Sequence, residues 1–387
     1  MKHEHRYIFL DYIRGISALL VCAGHLRGVM FEDYSLVGST SILDKLFYFL
    51  TGLGHQAVMI FFVLSGFFVG GSIVTKIQNF HLSDYLLSRL TRLWVVLIPA
   101  LLFTTLVDVI IKHYYPAVLN GQFYSVLNSG PQLEESYSLT IQTFFSNVFF
   151  LQDLYAPVYG SNGPLWSLAY EFWFYILFPL GLIAFGFIAA KWKSRLFVII
   201  VCASILIILG EKLWLGFTIW MLGVFSSIII NKQYVLPLRI PLLLLSILLL
   251  MFTLIDSKFN MLSGAFGIPN DLLVGISFML VILTVHSSHP QQKPRKINLN
   301  MSRWLSELSY TLYLVHFPVV LLIFSHFYSS HQLVPDIGSF FLFCSWLLVI
   351  VCISLFLWWC FERNTAVVRH WIRNRIDRKF ATKSGNN

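Results

Sequence analysis

Charge is scarce in this chain of 387 residues: Asp, Glu, Lys and Arg together make up 12% of it, about half of what a soluble domain carries. That scarcity argues against an ordinary soluble fold. Cysteine is sparse too. The five, at 22, 202, 344, 352 and 360, all fall in apolar runs and make no CxxC pair, so they read as packing residues and not as a disulfide frame or zinc ligands. No HExxH, P-loop, GxSxG or GxGxxG motif stands out. His286 and His289 make an HxxH in a basic loop with no further ligand nearby, so no metal site is expected.

What the chain does have is long apolar runs. It is 57% hydrophobic, and stretches of about 20 apolar residues recur along most of its length, the mark of membrane-spanning helices. A transmembrane barrel would instead alternate in ten-residue segments. The expected fold is therefore all-α and polytopic, with about ten transmembrane helices near 7–28, 50–73, 92–111, 164–189, 196–210, 213–231, 237–255, 266–286, 305–326 and 338–361. The segments 196–210 and 213–231 are parted only by Glu211 and Lys212. Residues 144–155, in the long 112–163 loop, are apolar but too short to span and read as an interfacial or re-entrant piece. The first run lacks a cleavage site and reads as a retained anchor. Residues 1–362 then form one membrane domain and 363–387 a basic tail.

Basic residues test this count. With the N-terminus inside, 21 Lys and Arg fall on inner segments and 5 on outer ones. Both termini are then expected in the cytoplasm. The basic tail then faces anionic inner-leaflet lipid, which accounts for the net charge of +9 with no nucleic-acid partner implied.

An ionisable residue at membrane depth is costly and so is a functional candidate. In "LDYIRGISALLVCAGH" (10–25), Arg14 and His25 are eleven residues apart. That spacing puts both on one helix face about 16 Å apart in height. Arg14 falls in the inner half and His25 near the outer face. Glu171, in "GPLWSLAYEFWFYILFP" (163–179), enters from outside and reaches the outer half, and Asp108 lies near the outer end of its span. His316, in "YTLYLVHFP" (310–318), lies near the midplane. Plainer readings stand beside these. His25 is then an interface residue, Arg14 snorkels to inner headgroups, Glu171 pairs with a basic residue, and Asp108 is interfacial. Gly66 and Gly70 make a GxxxG that favours close helix packing around Ser65.

A His with a carboxylate is a minimal general-base pair. No Ser or Cys stands out as a nucleophile, so the base would activate a hydroxyl brought by a substrate. Arg14, Arg89 and Arg92 put cations toward the inner side, where a phosphate-bearing donor would arrive. Donor inside and base outside suggests group transfer across the membrane.

These residues fall in five ordered motifs: Asp11, Arg14, Gly15 and His25; "FFVLSGF" (61–67); Arg89–x–x–Arg92; "PLWSLAYEFWFYILFP" (164–179), with Trp166, Ser167, Glu171, Tyr175 and Pro179; and "ELSYTLYLVHFP" (307–318). In this the chain resembles the membrane-bound acyltransferase-3 family, which modifies bacterial surface and secreted glycans. The resemblance implies a cytoplasmic acyl-CoA donor, acetyl-CoA in the simplest case, used as a co-substrate with no permanently bound cofactor. The acceptor is a hydroxyl of an extracytoplasmic or lipid-linked polysaccharide. It places the protein in a bacterial inner membrane, with glycan-assembly proteins as further partners.

On that reading His25, Arg14 and Glu171 carry the chemistry. Arg89, Arg92, Arg14 and Ser65 bind the donor, and Asp108, Trp166, Tyr310 and His316 bind the acceptor. The family's proline after the Arg pair is Val95 here, with Pro99 later, and Phe172 stands where a second acidic residue often follows Glu171. No SGNH-type domain is expected after the last span. The alternative class is a transporter or flippase for a lipid-linked sugar, with Arg14 and His25 binding phosphate or relaying protons. No inverted repeat supports it.

Overall fold

The computed structural model describes residues 7–38, 41–124, 131–132, 137–287 and 296–384. His289, part of the 287–303 loop and part of the 112–163 loop lie outside them. The described elements are helical, and the extended pairings among them are isolated bridges. In order the main helices are α1 (Ile8–Met30), α2 (Ile42–Thr51), α3 (Gly54–Ser65), α4 (Leu82–Tyr114), α5 (Ile141–Val148), α6 (Trp166–Ala184), α7 (Trp192–Asn231), α8 (Arg239–Phe259), α9 (Asn270–His286), α10 (Lys296–Ile323), α11 (Ile337–Cys360) and α12 (Thr365–Ser384).

Eight helices among the described residues are long and apolar enough to cross a membrane. They correspond to eight of the ten expected spans. The other two are shorter: α9 has 17 residues, and the first half of α7 ends at Gly210, whose φ of 78° breaks the helix just before Glu211. Apolar side chains cover the outside, among them Leu102, Leu106 and Val109 on α4 and Leu244, Leu245 and Leu248 on α8. In water such faces would be a liability; in a bilayer they meet lipid.

The 112–163 loop contains α5, only 8 residues long, with Ile141, Phe145 and Phe149 exposed. Helix α2 is similar in kind. It is closed at its start by a reciprocal Ser41–Asp44 capping box and turns Ile42, Leu43, Leu46 and Leu50 outward. Both are too short to span a bilayer and present an apolar face suited to lying along its surface.

The chain divides into two compact units. The first comprises Met1–Gly28, Glu32–Phe80 and Trp166–Ser309. Its core is built where α3 meets α7. A side chain on Gly66 would lie 1.9 Å from the Trp220 carbonyl oxygen, and one on Gly223 would lie 1.9 Å from that of Val63. Here the two backbones touch, as small residues in membrane helices allow. Trp220 is fully buried, stacked on Phe217 at 5.9 Å and edge-on to Phe178 at 5.1 Å. Directly after α3 the helix widens into a π turn, Gly66–Gly70, before continuing as Gly71–Thr75. Such single-turn widenings are frequent at functional sites.

Gly66→Ala is expected to destabilise the protein by about 1–3 kcal/mol or more, because the added methyl overpacks a backbone contact. Gly181→Ala on α6, where nothing lies within 4 Å, is the matched control. Thermal unfolding in detergent measures both, and equal midpoints would contradict the packing account.

The second unit comprises Val29–Phe31, His81–Leu165 and Tyr310–Asn387. Within it α4 is bound to the loop that follows it. The Trp94 indole donates to the Val148 carbonyl at 2.8 Å, and Asn162 Nδ2 donates to Thr104 Oγ1 and to the Leu314 carbonyl. The Tyr313 and Tyr310 hydroxyls donate to the carbonyls of Pro164 and Leu93.

Candidate functional site

Arg14, His25, Ser65, Trp166 and Glu171 belong to the first unit; Arg89, Arg92, Asp108, Tyr310 and His316 belong to the second.

In the first unit the side chains fall into two tiers. The lower one begins with Arg14, half-buried, whose guanidinium lies 4.7 Å from the centre of the Phe68 ring. Phe68 stands on the π turn. One turn earlier, Ser65 is buried and receives the Trp220 indole N–H at 3.1 Å. Its hydroxyl also meets that of Tyr175 at 3.2 Å, and Tyr175 donates to Glu171 Oε1 at 2.5 Å. A chain of polar contacts thus runs Trp220, Ser65, Tyr175, Glu171 through an otherwise apolar interior. Ser65 and Glu171 were expected to serve donor and base respectively; the structure joins them through Tyr175.

The upper tier is set by α1 and α3 running in opposite directions. Gly24 approaches the Thr51 carbonyl and the Gly54 Cα so closely that a side chain on it would lie 2.6 Å from the former and 3.9 Å from the latter. The residues that follow these glycines are His25, half-buried, and His55, exposed. His55 Nε2 meets both carboxylate oxygens of Asp271 at 3.0 Å. Its ring lies over that of Trp166, 6.2 Å between centroids and 21° from parallel. Trp166 is itself held edge-on by Tyr170 and Phe62. Eleven residues of α1 separate Arg14 from His25, about 16 Å of rise. In the opposing segment thirteen residues separate His55 from Phe68, a comparable height.

His55 and Asp271 were not singled out from sequence. The available signal was that both stand at span ends expected to lie on the same side of the membrane. Nothing in a linear pattern pairs residues 216 positions apart.

In the second unit Asp108 is fully buried. It accepts from the Ser161 backbone N–H at 2.7 Å, the Ser161 hydroxyl at 2.6 Å and the Tyr137 hydroxyl at 3.1 Å. Burial and then the Asp108 carboxylate push the Tyr137 phenol well above its ordinary range, which keeps it a donor. Neighbouring Gly160 has φ +58°, and a side chain there would lie 2.3 Å from Asp108 Oδ2. These bonds tie the loop to α4. His316 is fully buried, with its Nδ1–H directed at the carbonyls of Leu312 and Tyr313.

At the start of α4 the charge is positive. Arg89 packs against the Tyr85 ring at 5.8 Å, and its buried Nε has no hydrogen-bond partner among the described residues. Arg92 is half-buried one turn on. Helix α12 brings Arg369, which donates to Ser88 Oγ at 3.2 Å, and Arg373, 3.2 Å from Asp84. Among the described residues no group of three or more His, Cys, Asp or Glu is placed to hold a metal ion.

Residues 7–361 match the family described as Acyltransferase domain. The peptidoglycan O-acetyltransferase OatA of Listeria monocytogenes is 25% identical over 353 residues, 83% of this chain and 50% of that protein. An uncharacterised protein of Haemophilus influenzae is 31% identical over 130 residues, 32% of this chain and 47% of its own length. The chain thus spans about half the length, or less, of the curated relatives it matches. No solved structure matches.

Proposed function

Since the chain belongs to the acyltransferase-3 family, we propose that it is a membrane O-acyltransferase. It moves an acyl group, acetyl in the simplest case, from cytoplasmic acyl-CoA to a hydroxyl of an extracytoplasmic or lipid-linked polysaccharide. The observation that carries this reading is the two-tier arrangement on α1, with a stacked cation at one height and an imidazole about 16 Å away on the same helix face.

The chemistry follows from the residue types. The His25 imidazole takes the proton of the acceptor hydroxyl as its oxygen bonds to the acyl carbon. The carbon–sulfur bond breaks, and the leaving thiolate takes the proton back from the imidazolium. Arg14, over the Phe68 ring, lies on the donor's path. Arg89 and Arg92 receive donor phosphates, for which a planar guanidinium is well suited. The protein sits in a bacterial inner membrane with both termini in the cytoplasm, the arrangement favoured by its distribution of Lys and Arg.

The test is transfer of labelled acetyl from acetyl-CoA by the purified protein to polysaccharide extracted from cells that lack it. A flippase would move sugar and leave acetyl-CoA intact. Replacing Arg89 and Arg92 together by Ala is expected to raise the KM for acetyl-CoA by about tenfold with a smaller change in kcat, since the phosphates are held alike in ground and transition states. An unchanged donor KM in correctly inserted protein would assign the pair to membrane anchoring.

A further inference from the structure

The proposed chemistry leaves one His–carboxylate pair of the upper tier unused. His55 and Asp271 hold each other at the outset of α3 and α9, beside the first residue of α6. As a stability element the pair has little value: His55 is 52% exposed and Asp271 25%, and exposed ion pairs contribute little. Yet the imidazole is fixed on two sides. Asp271 takes Nε2 symmetrically, both oxygens at 3.0 Å, and Trp166 sets the plane of the ring. Trp166 is in turn wedged by Phe62 and Tyr170. Nδ1 makes no hydrogen bond among the described residues. When the imidazole is neutral, a carboxylate on one ring nitrogen places the proton there, which leaves Nδ1 a lone-pair acceptor.

The position matters as much as the geometry. The backbone contact between Gly24 and Gly54 places His55 and His25 each one residue from the same close approach. Two imidazoles carried on separate helices next to one backbone approach, one of them held as an acceptor, suit a ligand with two neighbouring hydroxyl groups. Sugar rings carry such pairs.

We propose that His55, oriented by Asp271 and Trp166, is an acceptor-binding residue. Its Nδ1 accepts a hydrogen bond from a sugar hydroxyl next to the one that His25 deprotonates, with Asp271 as its positioning residue. The proposal rests on the acyltransferase reading above. It adds that the acceptor is recognised through adjacent hydroxyls at the His25 end of α1, and that a pair 216 residues apart in sequence does the recognising.

The test is kinetic, with purified full-length protein, labelled acetyl-CoA and polysaccharide extracted from cells that lack the protein. His55→Ala is expected to raise the half-saturating polysaccharide concentration by about tenfold, the worth of one or two hydrogen bonds. The KM for acetyl-CoA stays within about twofold of wild type. Asp271→Asn, which keeps the shape and loses the charge, is expected to shift the same constant in the same direction by less. Melting temperature in detergent is measured for each variant, since a merely structural pair would lower it without separating the two KM values. An unchanged acceptor constant in both variants, or equal shifts in acceptor and donor constants, overturns the proposal. Failure of the wild-type protein to transfer label to polysaccharide overturns the acyltransferase reading itself, and the two failures are thereby distinguished.

Discussion

His25→Ala is expected to lower acyl transfer by about 10²–10⁴-fold while acyl-CoA binding stays within about twofold of wild type. The range is what a positioned general base contributes in rate. The sparing of donor binding follows from where His25 sits: eleven residues beyond Arg14 on α1, at the height of the Gly24–Gly54 contact. The side chain is half-buried, so its loss removes little packing, and the protein level is expected to hold. Titrating labelled acetyl-CoA against the purified variant, and measuring acetylated polysaccharide from the same preparation, separates the two effects. Product within about threefold of wild type would be less than a general base contributes and would remove His25 from the mechanism, leaving the fixed imidazole of His55 as the next base to test.

The comparison with the His55 variants is itself informative. A residue that removes the proton lowers kcat at every acceptor concentration. One that only holds a neighbouring hydroxyl is overcome by more acceptor. The two histidines each follow a residue of the same backbone approach and belong to different kinetic classes, so saturation curves tell them apart where a single-concentration assay would not.

The spans were legible in the sequence for a physical reason. A bilayer demands about 20 contiguous apolar residues per helix, and that is a local pattern. The division after 210 was legible as well, and the structure supplies its cause in the backbone of Gly210. Arg14, Ser65 and Glu171 stood out because each is polar within an apolar run. Their partners did not stand out. The Trp220 indole on Ser65 comes from 155 residues away, and the Tyr175 hydroxyl between Ser65 and Glu171 looked like one aromatic among many. Gly66 read as a close-packing residue, and so it is, but only the fold identifies α7 as the surface it meets.

Asp108 illustrates the opposite difficulty. A buried carboxylate near a span end has the same sequence signature whether it meets a substrate or a loop. Here Ser161 and Tyr137 take it up. His55 and Asp271 were passed over because polar residues are ordinary at span ends. Their significance lies in facing one another, which is a property of helix arrangement and not of either helix alone.

Arg14→Lys is expected to fail nearly as badly as His25→Ala, and in a different way. The substitution keeps the charge. What it loses is the flat guanidinium stacked 4.7 Å from the Phe68 ring, a contact worth about 0.5–2 kcal/mol. An ammonium is a strongly hydrated point charge on a flexible stem, and at membrane depth such a stem turns toward the nearer headgroups. Phe68 cannot follow it, because the π turn that carries it begins at Gly66, whose backbone is pressed against Trp220. The cation therefore leaves its place while the surrounding helices stay. Donor affinity should fall by about tenfold, and kcat by about 10²-fold, as expected when a positioning group is displaced by an ångström or so. Phe68→Leu removes the ring and keeps the arginine; it should reproduce part of the loss in donor affinity and less of that in kcat. Acetyl-CoA titration and single-turnover transfer on both variants measure these quantities. Wild-type donor affinity and rate in Arg14→Lys would mean that charge alone is used at this height, and the stacked geometry on the π turn would then be packing and not part of the donor path.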